Sequence, residues 1–325
     1  MHHRLLRGAA TGGLALALSV AVAACGSSSS SSSSSSGPSS GSSSTATPAA
    51  SGPGKGKPAF TLGAKNFTEE FILGQLYTQA LEAKGYTVNL KNNIGSSEVI
   101  DKALTSGQID GYPDYTGTIL SAIANQPRPP ASAQAAYQQA KAFEAKRGFT
   151  LLNDTPFVDS DVLGVLPAYA QSHGLSSIAD LKKLGTSVTI GGPPENATRF
   201  NGMVGLRQLY GVTATFKPLA IGLQYPALDN GQVQVSTLFT TDGQLSRKHY
   251  VQLKDPKAVF GFQNVAFVAN AKKLAAEGPA FAQTINAVSA KLTTPAVQQM
   301  NAAADLDKRS AADVAKAFLQ ANGLG

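Results

Sequence analysis

ALTSGQIDGYPDYTG, residues 103–117, has the pattern of a helix end, a glycine turn, a short strand and an aromatic residue followed by threonine. A second stretch, ALDNGQVQVSTLFTT at residues 227–241, repeats this order without a gap. The offset is 124 residues throughout, since 227 − 103 and 239 − 115 both equal 124. Tyr115 therefore corresponds to Phe239. Either two lobes are built alike, each with an aromatic residue at a strand's carboxyl end, or two helix–strand corners resemble each other by chance.

Short β-rich runs alternate with helical ones from residue 59 onwards. FTLGA (60–64) predicts a strand, and TEEFILGQLYTQALEAKG (68–85) predicts a helix capped by Asn66 or Thr68. This alternation predicts an α/β fold with mixed, mostly parallel sheets flanked by helices, whose ligands bind at the carboxyl ends of the strands. The other predicted strands are YTVNLK (86–91), QIDGY (108–112), SVTIGG (187–192), TATFKP (213–218), VQVSTLF (233–239), YVQLK (250–254) and NVAFVAN (264–270), and the other helices include SSEVIDKALTSG (96–107) and TRFNGMVGLRQLYG (198–211).

The first 58 residues are expected to lie outside the fold. A basic start and an apolar stretch predict a signal peptide over residues 1–24, and its end, VAAC, resembles the bacterial lipobox, in which the cysteine is acylated. Cys25 is the only cysteine of the chain. The alternative is a plain secretory signal that happens to contain a cysteine. Ser, Gly and Pro dominate residues 25–58, which predicts a disordered tether between a lipid-anchored Cys25 and the folded part.

Composition argues against several classes of function. The net charge of +7 is spread over a chain with only 14% charged residues, and no Lys/Arg cluster interleaves with aromatic residues, which disfavours nucleic-acid binding. The four histidines show no metal-ligand spacing, so no metal site is expected. From residue 59 onwards there is no GxSxG motif or phosphate-binding loop, so we expect neither an enzyme nor a cofactor.

Several segments, in order, resemble the osmoprotectant-binding proteins of ABC importers, which bind glycine betaine, choline, carnitine and proline betaine. The resemblance runs from about residue 60 to the end of the chain. It is carried by GAKNFTEEFILGQLYTQALEAKGY (63–86), NNIGSSEVIDKALTSGQIDGYPDYTGT (92–118), SIADLKKL (177–184), PPENATRFNGMVGLRQLYG (193–211), IGLQYPALDNGQV (221–233) and TTDG (240–243).

The resemblance implies the two-lobed, type II periplasmic-binding-protein fold with a hinge of two crossover strands. Lobe 1 is then expected over residues 59–162 and 264–325, and lobe 2 over residues 163–263. It also implies a monomeric, lipid-anchored receptor on the extracytoplasmic face, which delivers its solute to an ABC permease and, through it, to the ATPase. The alternative functions are a receptor for a different, more polar solute and a ligand-binding subunit for a sensor partner.

The family holds the quaternary ammonium head in a cage of aromatic rings. By resemblance, Tyr115 and Phe239 match two rings of the cage and Thr118 matches a polar position that helps to select the ligand. The two other rings are expected where this chain has Asp161 and Gln263. Three explanations stay open: the cage is rebuilt from other rings, Asp161 faces the cation directly, or the solute is more polar. The rings considered for a rebuilt cage are Phe262, Tyr112 and Tyr225.

A carboxylate on the ligand would need hydrogen-bond donors. Lys65, in a strand-to-helix loop, and Arg199, at a helix start, are the candidates. Lys65 could instead be a solvated lysine, and Arg199 could pair with Glu195 or Asp161. Asp161 is preferred to Asp159 for the cleft. The expected ligand-binding set is Lys65, Asn66, Tyr115, Thr118, Asp161, Arg199, Phe239, Thr240 and Gln263, with Cys25 as the lipidation site.

Overall fold

Two five-stranded sheets organise residues 52–325, the part of the chain that the computed structural model describes. The predicted signal peptide, Cys25 and the tether up to residue 51 lie outside these described residues. The strands are β1 (Phe60–Gly63), β2 (Val88–Lys91), β3 (Gly111–Tyr115), β4 (Phe149–Val158), β5 (Asp161–Val165), β6 (Thr189–Gly192), β7 (Thr215–Pro218), β8 (Val235–Phe239), β9 (Val251–Gln252) and β10 (Asn264–Asn270).

The first sheet has the order β2-β1-β3-β10-β4 and the second has the order β7-β6-β8-β5-β9. In each sheet the first three strands are parallel to one another, whereas β10 and β5 run antiparallel to both of their neighbours. The sheets are mixed, as predicted, with parallel and antiparallel pairs in equal number. The reason is that β10 and β5 are the strands by which the chain enters each sheet from the other one.

The internal repeat is real at the level of topology. Strands β3 and β8 occupy equivalent places in the two sheets, and their bounds are separated by the same offset, since 235 − 111 and 239 − 115 both equal 124. Gly107 and Gly231, which stand at this same offset, both adopt positive φ angles, 75° and 66°, after the preceding helix. Only glycine reaches this backbone region without strain, so both corners use the same turn.

Helices cover the sheets. They are α1 (Thr68–Glu82), α2 (Ser97–Thr105), α3 (Thr116–Thr118), which continues through Ile119–Ile123, α4 (Ala133–Lys146), α5 (Pro167–His173), α6 (Gln224–Asp229), α7 (Ala271–Glu277), α8 (Pro279–Ser289), α9 (Thr294–Asp305) and α10 (Ala311–Ala321). Among the described residues, no helix is both long enough and apolar enough to cross a membrane.

Three local predictions were wrong. Helix α1 begins after Phe67, in extended conformation, and neither Asn66 nor Thr68 caps it, because the Thr68 hydroxyl donates to Asp305 instead, at 2.6 Å. The strand predicted at residues 108–112 lies at Gly111–Tyr115. The helix predicted at 198–211 is broken at Gly202, where a Cβ would lie 2.3 Å from a backbone oxygen of the preceding turn.

The predicted tether is also too long. Residues 52–58 form a turn that packs on the end of α1, where the Gly54 N–H donates to the Lys84 carbonyl at 3.0 Å. A Cβ on Gly54 would lie 2.2 Å from the Tyr86 nitrogen, so glycine permits this close approach. The prediction of disorder for residues 52–58 is therefore wrong, because the glycines in this segment allow its backbone to pack closely on the residues that follow α1.

Candidate functional site

The carboxyl ends of strands from both sheets meet at a cavity of about 60 Å³. Lys65 and Asn66 follow β1, Tyr115 ends β3, Asp161 begins β5, and Phe239 ends β8. This is the position at which α/β sheets place their ligands. The cavity is lined by Lys65, Asn66, Phe67, Ser96, Ser97, Tyr115, Thr118, Asp159, Asp161, Pro193, Glu195, Asn196, Arg199, Ile221, Phe239 and Gln263.

Three aromatic rings form a continuous wall of this cavity. The Phe67 ring centroid lies 6.3 Å from that of Tyr115 and 6.4 Å from that of Phe239, and the planes of Phe67 and Phe239 are nearly parallel, at 7°. Tyr115 belongs to the first sheet and Phe239 to the second, so the wall spans both. The structure thus brings Tyr115 and Phe239 together through Phe67, which sequence reasoning missed although it lies within the quoted KNFTE segment.

Lys65 lies behind the Tyr115 ring rather than in solvent. Its ammonium is 2.6 Å from Asp114 Oδ1, 3.4 Å from Glu70 Oε1 and 4.2 Å from the Tyr115 ring centroid, and the residue is only 2% exposed. Burial alone would lower the pKa of Lys65, but the two carboxylates outweigh it and raise that pKa. Lys65 is therefore a permanently charged group whose charge is already matched.

Arg199 is paired as well, with a partner that was not predicted. Its guanidinium donates from Nε and from one terminal nitrogen to the two carboxylate oxygens of Glu98, at 2.7 and 2.6 Å. Partial burial opposes ionisation of Glu98, yet the hydrogen bonds and charge of Arg199 lower its pKa to about 2. The expected pairs with Glu195 or Asp161 are not formed. The bond joins α2, beside the first sheet, to the segment after β6 of the second.

Two carboxyl groups enter the cavity where the chain passes between the sheets. Asp159 precedes β5 and accepts the Thr241 N–H at 3.2 Å, and Asp161 accepts from the Asn201 side-chain amide at 3.3 Å. Burial raises the pKa of Asp161 to about 7, and burial together with the nearby Glu69 raises the pKa of Asp159. Asp159 lines the cavity as well as the preferred Asp161.

Gln263 is 2% exposed, and both the oxygen and the nitrogen of its side-chain amide form hydrogen bonds within the protein. Its oxygen accepts from the N–H and hydroxyl of Thr118, at 3.1 and 3.3 Å, and its nitrogen donates to the Phe260 carbonyl at 3.1 Å. Gln263 and Thr118 thus shape the floor of the cavity as one unit.

Thr240 is not one of the residues that line the cavity. Its hydroxyl donates to the Val158 carbonyl at 3.2 Å and accepts the Ser160 N–H at 3.0 Å, so it ties the two sheets together beside the cavity. The following residue, Thr241, points inward and donates to Glu69 at 2.6 Å. Thr240 and Thr241 are the central residues of a turn closed by the Asp242 N–H, which donates to the Phe239 carbonyl at 2.9 Å, so the repeat identified the segment but not the side chain that points inward.

The rings considered for a rebuilt cage do not line this cavity. Tyr112 is 1% exposed and packs in the hydrophobic core of the first sheet, where Phe262 also contacts it. Tyr225 lines a second cavity, of about 360 Å³, and donates to Asp242 at 2.8 Å. The two cavities share five lining residues, namely Asn66, Phe67, Asp159, Ile221 and Phe239, so they form one cleft.

Within residues 52–325, no group of three or more His, Cys, Asp or Glu side chains could hold a metal ion. The cleft offers ring faces, carboxyl groups and bonded hydroxyls. These groups can hold an organic cation by cation–π and charge interactions.

Comparisons with known proteins agree with this geometry. The glycine-betaine-binding protein of Pseudomonas aeruginosa is 30% identical over 275 residues, which cover 81% of this chain and 88% of that protein. The carnitine transport binding protein OpuCC of Listeria monocytogenes is 29% identical over 274 residues, covering 82% of this chain and 87% of that protein. A crystal structure described as a glycine betaine/carnitine/choline ABC transporter has 26% identity and a TM-score of 0.66, and covers 82% of this chain and 99% of that one.

The predicted type II periplasmic-binding-protein architecture, with two mixed sheets flanked by helices, is confirmed. Residues 59–321 match the family model described as the substrate binding domain of the ABC-type glycine betaine transport system. This match spans the cleft and both sheets. The chain therefore belongs to the family of substrate-binding proteins of ABC-type glycine betaine transport systems.

Proposed function

We propose that this chain captures a quaternary-ammonium solute of the glycine betaine, choline and carnitine class in its cleft and delivers it to an ABC permease and its ATPase. The observation that carries the proposal is the aromatic wall of Phe67, Tyr115 and Phe239 beside Asp159 and Asp161. Lys65, Asn66, Thr118, Arg199 and Gln263 complete the proposed site. The relatives are solute-binding receptors rather than enzymes, in agreement with this role.

Ring faces suit this ligand because a tetraalkylammonium group cannot donate a conventional N–H hydrogen bond. Each ring attracts the cation by roughly 0.5–2 kcal/mol once water is excluded. Three rings in contact can therefore supply about 1.5–6 kcal/mol, which is comparable with the roughly 4 kcal/mol of a millimolar dissociation constant.

Binding is proposed to close two lobes, residues 59–162 with 264–325 and residues 163–263. The chain crosses between the sheets at residues 159–160 and again between β9 and β10, and these crossings would form the hinge. Bonds that join the two halves, such as Arg199 to Glu98 and Thr241 to Glu69, support a closed form that a permease could recognise. Strand β5 already belongs to the second sheet at Asp161, close to the proposed boundary.

The family is extracytoplasmic, and we propose that this member is held at the membrane by a lipid on Cys25 after removal of residues 1–24. A Ser/Gly/Pro-rich tether then separates the anchor from a monomeric receptor. Mass spectrometry of the membrane fraction would detect the acylated cysteine, and Cys25→Ser would release the protein if the anchor is real.

Calorimetric titration of the purified chain tests the ligand class. The probes are glycine betaine, choline, carnitine, proline betaine and ectoine, and at least one quaternary ammonium should bind with a dissociation constant below 1 mM, roughly −4 kcal/mol or stronger. Phe67→Leu should weaken that binding, whereas Phe143→Leu, which truncates a half-buried ring on α4, is the matched control. If no probe binds better than millimolar, the proposed ligand class is wrong.

A further inference from the structure

The charges around the cleft are distributed unequally. The two basic side chains of the first cavity are both neutralised by protein carboxylates: Lys65 lies 2.6 Å from Asp114, and Arg199 donates two hydrogen bonds to Glu98. In the first cavity these are the charged donors that could bind a ligand carboxylate. To bind such a carboxylate, Lys65 or Arg199 would have to give up a charge-assisted hydrogen bond or share it with a further anion.

Asp159 and Asp161 are in the opposite situation. Among residues 52–325, no Lys, Arg or His nitrogen lies within 4.0 Å of either carboxyl group. Asp159 is 7% exposed, and its carboxyl group accepts from Thr241 rather than from a basic side chain. Both carboxyl groups line the same cavity as the ring of Tyr115. The first cavity therefore holds a buried Asp159 and a partly buried Asp161, neither of which forms an ion pair with a described residue.

The second cavity also has more acidic than basic side chains in its wall. It opens from the first one at Asp159, Phe67 and Phe239. The charged side chains in its wall are four acids and one base: Glu69, Asp159, Asp242, Asp305 and Lys308. A carboxylate end of a ligand would lie beside acidic side chains in both cavities and would oppose their ionisation.

We propose that the cleft selects a quaternary ammonium with net positive charge and an uncharged tail, of which choline is the simplest probe, over a zwitterion such as glycine betaine. This inference rests on the proposed function and specifies its ligand. The cation would lie against the aromatic wall, with Asp159 and Asp161 as counter-charges. An uncharged tail does not need Lys65 or Arg199 as a partner, so these two side chains can keep their bonds to Asp114 and Glu98.

Proton release provides an independent signature. Without a ligand, both carboxyl groups have raised pKa values, that of Asp161 being about 7, and a nearby cation favours their ionised forms. Choline binding near pH 7 should therefore release protons. The groups facing Asp159 are Glu69 on α1, Tyr115 on β3, Tyr225 on α6 and Thr241 and Asp242 after β8, and those facing Asp161 are Glu195, Arg199 and Asn201 after β6.

The experiment compares choline and glycine betaine by calorimetric titration of the purified full chain, in two buffers of different ionisation enthalpy. We expect choline to bind at least tenfold more tightly, with a buffer-dependent enthalpy that reports proton release at pH 7. Asp161→Asn and Asp159→Asn should each lower choline affinity tenfold or more and leave glycine betaine unchanged or tighter. Glu82→Gln removes the same charge from the exposed far end of α1 and is the matched control.

Three outcomes overturn the inference. Equal or tighter binding of glycine betaine refutes it while the proposed receptor function stands. If the Asn variants lost affinity for choline and glycine betaine equally, the two aspartates would recognise only the ammonium head that both ligands share. If neither ligand nor any other quaternary ammonium binds, the proposed function fails together with it. Thermal unfolding of each variant shows whether it is folded at the titration temperature.

Discussion

Replacing Tyr115 by leucine tests the aromatic wall directly. The ring ends β3, is 5% exposed, and contacts the hydrophobic core of the first sheet as well as the cavity. The Lys65 ammonium already lies 4.2 Å from its centroid, so part of its attraction for cations is in use. We therefore take the lower half of the cation–π range, about 1 kcal/mol, which corresponds to a loss of affinity of about fivefold in Tyr115→Leu.

Tyr115→Phe is the matched control, because it keeps the ring and removes the hydroxyl, which donates to Glu69 at 2.6 Å. Ligand affinity should stay within about twofold of the unaltered protein. The free energy of unfolding should fall by about 1–2 kcal/mol, since Glu69 keeps only the donors from Thr241 and Asn301. Calorimetric titration measures affinity, and denaturant unfolding measures stability.

The two variants separate the ring from its hydroxyl. An unchanged affinity in Tyr115→Leu would remove the ring from the site. If Tyr115→Phe lost as much affinity as Tyr115→Leu, the hydroxyl network would govern binding and the cation–π argument would be wrong.

Other parts of the site give further predictions. Glu98→Gln should lower the melting temperature at pH 7 by the equivalent of about 1 kcal/mol, a value discounted because Glu98 is 38% exposed. Since bonding to Arg199 lowers the pKa of Glu98 to about 2, the difference from the unaltered protein should shrink as the pH falls from 5 towards 2, and a constant difference would contradict this. Asp161, with its pKa raised to about 7, holds a proton that the unfolded chain releases between about pH 4 and 7, so stability falls as the pH rises through that range. Asp161→Asn should therefore raise the melting temperature at pH 8 but not at pH 4 in scanning calorimetry, and the reverse order would refute the assignment. Gly117→Ala should lower the free energy of unfolding in urea by about 1–3 kcal/mol, because its Cβ would lie 2.6 Å from a backbone oxygen and 2.8 Å from the Gln263 amide. A change below about 0.5 kcal/mol would show that the neighbouring atoms move to accommodate the methyl group.

Much of the candidate site follows from the segments that sequence analysis identified. Eight of the nine proposed ligand-binding residues line the cavity, and Thr240 is the exception. Tyr115 and Phe239 could be located because a strand's carboxyl end, a glycine turn and an aromatic residue recur at one offset. Thr240 does not line the cavity because the residue lies in the turn after β8, where tertiary contacts rather than strand periodicity set the direction of the side chain.

Pairing between distant charges was beyond sequence reasoning. Arg199 and Glu98 are 101 positions apart and meet only because two sheets bring their loops to one cleft. The same holds for Lys65 and Asp114, whose separation of 49 positions gives no local periodic signal. Phe67 lay within a recognised motif, but its approach to Tyr115 and Phe239 depends on the extended backbone that precedes α1.

The order of strands, helices and turns is local information, because hydrophobic periodicity and the placement of glycines act within a few residues. From this local information, the sequence alone determined the α/β class, the repeated helix–strand corner and the segments that border the cleft. Tertiary structure decided which charges are already satisfied. Ionic interactions depend on distance and burial rather than on separation along the chain. For that reason only the folded molecule distinguishes the neutralised Lys65 and Arg199 from the unpaired Asp159 and Asp161, and this difference underlies the proposed preference for a cation.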